Sequence, residues 1–369
     1  MTSEQPSFLA LATPGVRGLH PYQPGKPLSE LEREYGVRDA VKLASNENPL
    51  GPSPKALAAA RAALADMARY PDGNGFELKQ ALARRHGVSA AAITLGNGSN
   101  DVLELIARGF LGPALAAVYS EHAFAVYPIV TQAIGAQHRV APARDFGHDL
   151  DAMAARVDER VRVLFIANPN NPTGTWLPAS QLEAFLATLP ERLIVVLDEA
   201  YSEYVGESDY PDSTAWIERF PNLVVTRTFS KAFGLAGLRI GYAVSHPQVA
   251  DVLNRVRQPF NVNLAAQAAA LAALDDRDYL EMSVRVNREG MAQMTAGLRQ
   301  LGIDYIPSVG NFLAADMGRL AAPVYEGLLR EGVIVRPVAN YGMPNHLRIT
   351  IGTEGENARC LAALAKVLG

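Results

Sequence analysis

The segment from Thr226 to Tyr242 combines a lysine with side chains that could bind a phosphate. Lys231 lies among phenylalanine and leucine residues, and an apolar setting lowers the pKa of an amine, which favours imine formation with an aldehyde. Thr228, Ser230 and Arg239 flank this lysine and could hold a phosphate through two hydroxyl groups and a guanidinium fork. An exposed loop lysine is the alternative that this segment alone leaves open.

Two further polar groups follow apolar runs that are predicted to be strands. Asp198 ends the run 193–197, and Asn171 follows the run 161–167. Open α/β sheets place ligand-contacting residues at such strand ends. A buried carboxylate at Asp198 could keep a heterocyclic nitrogen protonated, and Tyr201 could donate to an oxygen of the same ring. A helix cap at Asp198 and a purely structural Asn-Pro turn at Asn171 are the alternatives.

A glycine-rich turn over residues 96–101 opens a helical pattern. Free backbone N–H groups at Gly98 and Ser99 would suit a phosphate. The spacing is not that of a dinucleotide-binding loop, because Asp101 stands where its third glycine would be, and it is not a Walker A loop. Taken by itself, the turn favours ordinary capping of the helix by the side chain of Ser99 or Asn100.

Two arginines near the end of the chain are candidates for holding an anionic substrate. Arg336 and Arg348 each stand beside apolar residues, and a guanidinium group can bind phosphate or carboxylate in a bidentate manner. Structural arginines in ion pairs are the alternative. The seven histidines are scattered without metal-ligand spacing, so no metal site is predicted.

Composition excludes several classes of protein. The 369 residues are 49% hydrophobic, a globular balance, and carry 34 basic and 38 acidic side chains, which argues against a nucleic-acid-binding domain. The single cysteine, Cys360, excludes a disulfide framework. The first 16 residues lack the basic start of a signal peptide, and no apolar run is long enough to span a bilayer. We therefore expect a cytoplasmic protein with no membrane partner.

The elements that must position these groups alternate between strands and helices. Strands are predicted at 161–167, 193–197, 223–226 and 240–244, with a helix over 180–189 between the first two. This rhythm predicts an α/β domain with a mostly parallel sheet. Helices are also predicted at 54–68 and 76–86, the second ending at Gly87. After Pro259, helices at 264–274, 279–301 and 324–331 and strands at 312–316, 333–336 and 347–351 predict a smaller α+β domain.

The beginning of the chain has a different composition. It is rich in proline and glycine through Leu28, which predicts an extended arm and not a helix. The predicted organisation is an N-terminal arm and part of the small domain over 1–45, a large cofactor-binding domain over 46–260, and a small C-terminal domain over 261–369.

Together, these segments resemble the fold type I aminotransferases that depend on pyridoxal 5'-phosphate, and among them the histidinol-phosphate aminotransferases. The resemblance rests on the order of Asn-Pro-Thr-Gly at 171–174, Asp-x-x-Tyr at 198–201, and Ser-Lys at 230–231 followed by Arg239. It extends from Pro21 to Thr353. It implies a large domain with a mostly parallel central sheet flanked by helices, plus a smaller α+β domain.

The resemblance also implies roles for individual residues. Lys231 would form an imine with the cofactor, Asp198 would pair with its ring nitrogen, and Tyr201 and Asn171 would contact its 3-oxygen. An aromatic ring at Phe124 would stack on the cofactor. The phosphate would be held by Gly98, Ser99, Thr228, Ser230, Arg239, and Tyr70 from a second subunit. Tyr70 in that role implies a homodimer with shared active sites.

The expected reaction is transamination between histidinol phosphate and 2-oxoglutarate, with glutamate as the usual amino donor, in histidine biosynthesis. Tyr22, Arg336 and Arg348 match the family positions that hold the substrate phosphate. Asn46 is expected near the substrate, although an Asx-turn explains it equally well. Three alternatives stay open: an aromatic amino acid aminotransferase, a decarboxylase of a phosphorylated amino acid, and a ligand-sensing regulator. The regulator would normally need a DNA-binding module, for which the arm is too short.

Overall fold

The computed structural model describes residues 8–22 and 25–369, and its strands form one large and one smaller sheet with two short pairs. The strands are β1 (Val41–Lys42), β2 (Ile93–Gly96), β3 (Ala116–Ser120), β4 (Gln137–Ala141), β5 (Ala143–Arg144), β6 (Gly147–His148), β7 (Val161–Ala167), β8 (Ile194–Asp198), β9 (Leu223–Thr228), β10 (Gly241–Ser245), β11 (Asp304–Ile306), β12 (Phe312–Asp316), β13 (Val333–Ile334), β14 (Arg336–Pro337) and β15 (His346–Thr350). The helices are α1 (Phe8–Leu11), α2 (Pro14–Arg17), α3 (Leu28–Tyr35), α4 (Pro54–Ala63), α5 (Phe76–His86), α6 (Ser99–Phe110), α7 (Val126–Ala133), α8 (Leu150–Ala154), α9 (Ala179–Leu186), α10 (Pro247–Val256), α11 (Leu264–Leu274), α12 (Arg277–Gln300), α13 (Ala321–Arg330) and α14 (Glu354–Leu368).

The large sheet has seven strands in the order β2-β10-β9-β8-β7-β3-β4. Six of these strands run in the same direction, and β10, between β2 and β9, runs in the opposite direction. The strands β7, β8 and β9 are continuous runs of apolar residues because helices cover both faces of the sheet. Helices α4, α5, α9 and α11 contribute to the core on one face, and α6, α7 and α10 contribute to the core on the other. The predicted mostly parallel sheet is confirmed.

The smaller sheet is antiparallel and has the order β11-β12-β15-β14. Its core includes residues of α12, α13 and α14. The short strand β1 pairs in parallel with β13, so the segment before residue 46 is attached to this part of the chain. The predicted smaller α+β unit is therefore present. The predicted domain boundaries stay a prediction, and α11 packs against α4 in the core of the large sheet.

The structure differs from the sequence expectations in the arm, in the helix predicted over 54–68, and in the strand predicted over 333–336, which is divided into β13 and β14. The arm contains the short helices α1 and α2, so the prediction of a wholly non-helical arm is wrong. Pro14 stands in the first turn of α2, where proline is compatible with a helix because the first N–H groups have no partner inside it. The helix predicted over 54–68 ends at Ala63 and continues as a tighter turn, Leu64–Asp66. Residues 1–7, 23 and 24 of the predicted arm lie outside the described residues.

Among the helices in the described ranges, none is both long and apolar enough to cross a membrane.

The buried ring of Phe165 in β7 provides a test of this core. Phe165 is fully buried and stacks on Tyr127, with ring centroids 4.7 Å apart. We expect Phe165→Ala to lower the free energy of unfolding by about 3–5 kcal/mol, because it removes apolar contacts and leaves a cavity. Denaturant unfolding would measure the change. Leu320→Ala is the control, since Leu320 is exposed, and it should change stability by less than about 0.5 kcal/mol. Equal effects of the two changes would contradict this packing.

Candidate active site

A cavity lies where the carboxyl ends of β7, β8 and β9 meet the smaller sheet. Parallel strands end at the same edge of a sheet, so the polar residues that follow them come together there. The cavity collects residues predicted from widely separated segments of the sequence. Its lining includes Tyr22, Asn46, Ser99, Phe124, Asn171, Asp198, Tyr201, Thr228, Ser230, Lys231, Arg239, Arg336 and Arg348.

Lys231 presents a buried amine to this cavity. It follows β9 in a tight turn that is closed by the N–H of Gly234 donating to the carbonyl oxygen of Lys231. Its Nζ donates to the carbonyl oxygen of Ser45 at 3.0 Å. Burial, and secondarily the positive charge of Arg348, lower the pKa of Lys231 to about 7. A large fraction of this amine is therefore uncharged and nucleophilic at neutral pH.

Asp198 presents a buried carboxylate at the end of β8. Tyr127 donates its hydroxyl proton to Oδ2 at 2.8 Å, and Thr226 donates to Oδ1 at 3.0 Å. Burial raises the pKa of Asp198, and these hydrogen bonds act in the opposite direction by stabilising the ionised form. The carboxylate is thus held in one orientation by two donors.

Tyr127 and Thr226 are site residues to which the sequence analysis gave no role. Thr226 pairs with Asp198 in the register between β8 and β9, so both side chains emerge on the same face of the sheet. Tyr127 lies one helical turn after Phe124, in α7. Strand register brings Thr226 to Asp198, and the packing of α7 against the sheet brings Tyr127 there.

The hydroxyl group of Tyr201 is surrounded by amide donors. Asn46 Nδ2 donates to it at 2.9 Å, and Asn171 Nδ2 donates at 3.1 Å. Two donors occupy the acceptor positions of the oxygen, which leaves its own proton for a further acceptor. Burial raises the pKa of Tyr201, so the phenol keeps that proton at neutral pH. Asn46 has a φ of 54°, its backbone N–H donates to Thr350 Oγ1 at 2.9 Å, and its Oδ1 accepts from that hydroxyl at 3.2 Å. Its side chain therefore contacts two hydroxyl groups that are distant in sequence.

A second end of the cavity has the features of an anion site. Helix α6 begins after Gly98, whose φ is 87°, and no side chain caps the helix. The expected capping by Ser99 or Asn100 is therefore wrong, because the turn places glycine at the cap position. A Cβ atom at Gly98 would lie 2.4 Å from Nη2 of Arg239. Arg239 donates to Ser230 Oγ at 3.3 Å, so a guanidinium, a hydroxyl group and a helix N-terminus converge on this point.

Two buried arginines form a second candidate anion site. Arg336 and Arg348 are directly opposite each other on β14 and β15. Arg348 donates to Asn171 Oδ1 at 2.6 Å and to the carbonyl oxygen of Ala44 at 2.7 Å, and both acceptors are neutral. The guanidinium of Arg336 lies 5.6 Å from the ring centre of Tyr22. Two positive charges side by side favour an anionic ligand.

Of the last two predicted site residues, Phe124 lies at the cavity and Tyr70 does not. Phe124 lines the cavity, and its ring meets Tyr127 edge to face with centroids 5.8 Å apart. Tyr70 does not line this cavity. Its side chain is 81% exposed and stacks on Phe260, with centroids 4.6 Å apart. The role predicted for Tyr70 in a neighbouring subunit stays a prediction.

These groups fit a planar heterocyclic aldehyde that carries a phosphate. The amine of Lys231 can bind the aldehyde, and the carboxylate of Asp198 can accept a hydrogen bond from a protonated ring nitrogen. The phenol of Tyr201 can donate to a ring oxygen. Gly98 lets the guanidinium of Arg239 lie against the start of α6, since a Cβ atom there would clash with it, and a phosphate can bind to both groups.

Comparisons with known proteins agree with this geometry. The family model for class I and II aminotransferases matches residues 38–364. Histidinol-phosphate aminotransferase 2 of Pseudomonas fluorescens is 66% identical over 363 residues, which is 98% of each chain. Histidinol-phosphate aminotransferase 1 of Nitrosococcus oceani is 60% identical over 361 residues, again 98% of each chain. The structure of histidinol-phosphate aminotransferase from Sinorhizobium meliloti in complex with pyridoxal-5'-phosphate is 33% identical, with a TM-score of 0.90 and coverage of 96% of this chain and 97% of that chain.

The lowered pKa of Lys231 gives a pH-dependent prediction. In the cofactor-free protein, reductive alkylation of Lys231 by a small aldehyde should increase through a midpoint near pH 7, because only the uncharged amine attacks. Lys55 is the internal control, since its hydrogen bond with Asp276 raises its pKa and it should react at higher pH. Peptide mass spectrometry would measure both. If Lys231 reacted only in the pH range of Lys55, the amine would not be uncharged at neutral pH.

Proposed function

This chain belongs to the class I and II aminotransferase family, and on that basis we propose that it transfers an amino group between histidinol phosphate and 2-oxoglutarate. The observation that carries the proposal is the pair of buried arginines, Arg336 and Arg348, beside the cavity that holds Lys231 and Asp198. Relatives with 55–66% identity over nearly the full length are histidinol-phosphate aminotransferases. The reaction belongs to histidine biosynthesis.

The cofactor is pyridoxal 5'-phosphate, which supplies an aldehyde and a ring that accepts the electron pair released at the substrate Cα. Thr228, Ser230 and Arg239 bind its phosphate, together with backbone N–H groups at Gly98 and Ser99. Lys231 binds the aldehyde carbon. These assignments are supported by the convergence of the residues on one cavity and by the close approach of Arg239 to Gly98.

Three side chains control protons during the reaction. Asp198 holds a proton on the ring nitrogen, because its buried carboxylate is a better partner for a cation than for a neutral group. Lys231, once the substrate amine has taken its place on the cofactor, would take the proton from the substrate Cα and deliver it to the cofactor carbon that carried the aldehyde. Tyr201 donates a hydrogen bond to the 3-oxygen of the ring, since Asn46 and Asn171 occupy its acceptor positions.

The two arginines and Tyr22 bind the anionic group of the substrate. Histidinol phosphate carries a phosphate, and 2-oxoglutarate carries a second carboxylate, so the same guanidinium groups can serve both half-reactions. Asn171 links this region to the cofactor, because its Oδ1 accepts from Arg348 while its Nδ2 donates to Tyr201.

We also propose a homodimer in which Tyr70 binds the phosphate in the neighbouring subunit. The exposure of the Tyr70 ring supports this role, because its own chain leaves the hydroxyl outside the cavity. Large apolar side chains around it are also exposed, as expected of a surface that a second copy covers. They include Leu64, Met67, Phe76 and Phe260. A cytoplasmic location stays a prediction from the sequence.

Substrate choice can be tested by initial rates with 2-oxoglutarate as the amino acceptor. Histidinol phosphate should be preferred over phenylalanine and tyrosine in kcat/KM, because a phosphate dianion uses both guanidinium groups. A preference for an aromatic amino acid would support the alternative aminotransferase activity instead.

The role of Asp198 can be tested with Asp198→Asn, which keeps the shape of the side chain but removes its charge. We expect the cofactor to remain bound and kcat to fall by about 10²- to 10³-fold or more, because the ring nitrogen loses its anionic partner. Absorbance of the bound cofactor and steady-state rates would measure the two effects. Asp251→Asn, an exposed change in α10, is the control. Near-normal turnover of Asp198→Asn would contradict the assigned role.

The dual use of Arg348 can be tested with Arg348→Ala. We expect KM to rise by about tenfold or more for both histidinol phosphate and 2-oxoglutarate, the scale expected when a hydrogen bond to a charged group is lost. Arg255→Ala, which removes an exposed arginine from α10, should leave both constants unchanged. If neither KM changed in Arg348→Ala, the assignment of this arginine to the substrate would be wrong.

A further inference from the structure

Asp101 connects two parts of the chain at the turn that begins α6. Its Oδ2 atom accepts a hydrogen bond from the backbone N–H of Asn97 at 2.8 Å and one from Nδ2 of Asn261 at 2.8 Å. Asn261 Nδ2 also donates to the carbonyl oxygen of Leu95 in β2, at 3.1 Å. One carboxylate oxygen therefore joins the start of the turn, the first turn of the helix and a segment that is 160 residues away in sequence.

The partner of Asp101 is itself held in place. Nη1 of Arg257 donates to Asn261 Oδ1 at 2.8 Å, which fixes which end of the amide faces Asp101. With its oxygen engaged by Arg257, the amide has only its Nδ2 group to offer to Asp101 and Leu95. The orientation of the contact is thus determined by three neighbours.

These contacts shape the turn without using its anion-binding end. Gly98 has a left-handed backbone conformation and occupies the cap position of α6, which no side chain caps. The turn is also approached closely by β10, since a Cβ atom at Gly241 would lie 2.4 Å from the backbone nitrogen of Ser99. A turn confined in this way presents the first N–H groups of α6 in one arrangement.

We propose that Asp101 is a positioning residue for phosphate binding, acting through its hydrogen bonds to Asn97 and Asn261. This inference rests on the proposed function, in which the turn at Gly98 and Ser99 binds the cofactor phosphate. The charge of Asp101 cannot itself favour a phosphate, because two anions repel each other. Its contribution is to fix the backbone so that the N–H groups and Arg239 meet the phosphate together.

Four variants separate geometry from charge. Asp101→Ala removes both hydrogen bonds, and Asn261→Ala removes the longer-range one. Asp101→Asn keeps an oxygen that can accept from both donors but removes the charge. Glu104→Ala is the matched control, because Glu104 is an exposed carboxylate on the same helix.

The measurement is the dissociation constant of each variant for pyridoxal 5'-phosphate and for pyridoxal, which lacks the phosphate. We expect Asp101→Ala to weaken binding of the phosphorylated form by about tenfold or more and to leave pyridoxal binding unchanged. Asn261→Ala should produce a smaller loss of the same kind. Asp101→Asn and Glu104→Ala should stay within about threefold of the wild type for both ligands, a difference well below the effect of one such hydrogen bond.

The possible outcomes test the role of Asp101 separately from the proposed function. Equal weakening of both ligands by Asp101→Ala would indicate a general loss of structure and would overturn the positioning role. If Asp101→Asn bound pyridoxal 5'-phosphate as weakly as Asp101→Ala, the geometric explanation would be overturned. If the wild type bound pyridoxal as tightly as the phosphorylated form, the proposed function itself would fail. An unchanged Asp101→Ala, in a protein whose wild type does prefer the phosphorylated form, would contradict only the inference about Asp101.

Discussion

Burial of an amine and a carboxylate in one cavity is the constraint on which this active site depends. Desolvation disfavours the charged form of both groups, so it lowers the pKa of Lys231 and raises that of Asp198. The lysine needs that effect, because it must act as a nucleophile and a base. The aspartate must stay ionised despite its burial, and the hydrogen bonds from Tyr127 and Thr226 stabilise its ionised form. The same environment thus serves two groups only because their hydrogen-bond partners differ.

The arrangement of the sheets explains how such partners reach each other. Strands β7, β8 and β9 end side by side, which places Asn171, Asp198 and Lys231 at one edge. The four-stranded sheet then brings Arg336 and Arg348 to that edge. The phosphate end depends on the close approach of Arg239 to the backbone, because a side chain at Gly98 would clash with its guanidinium. Each end of the cavity is therefore built from a different structural unit.

Much of this could be predicted from the sequence, because local patterns determine it. The strand over residues 161–167 and the helices over 76–86 and 264–274 have the predicted bounds, since apolar spacing and the glycine after His86 are local signals. The cavity also brings together residues chosen for their chemistry alone. The contacts of Tyr127 and Thr226 with Asp198 could not be predicted, because they depend on strand register and on the packing of α7 against the sheet. The hydrogen bond from the Asn46 amide to the Tyr201 hydroxyl could not be predicted either, since the two residues are 155 positions apart in sequence.

The hydrogen bonds of Arg348 connect the two sheets. The residue belongs to the four-stranded sheet, yet it donates to Asn171, which follows a strand of the seven-stranded sheet, and to Ala44. Since the amide of Asn171 also donates to Tyr201, a continuous series of hydrogen bonds runs from an arginine of the four-stranded sheet to the phenol in the cavity. The substrate end and the cofactor end of the proposed site therefore share one amide.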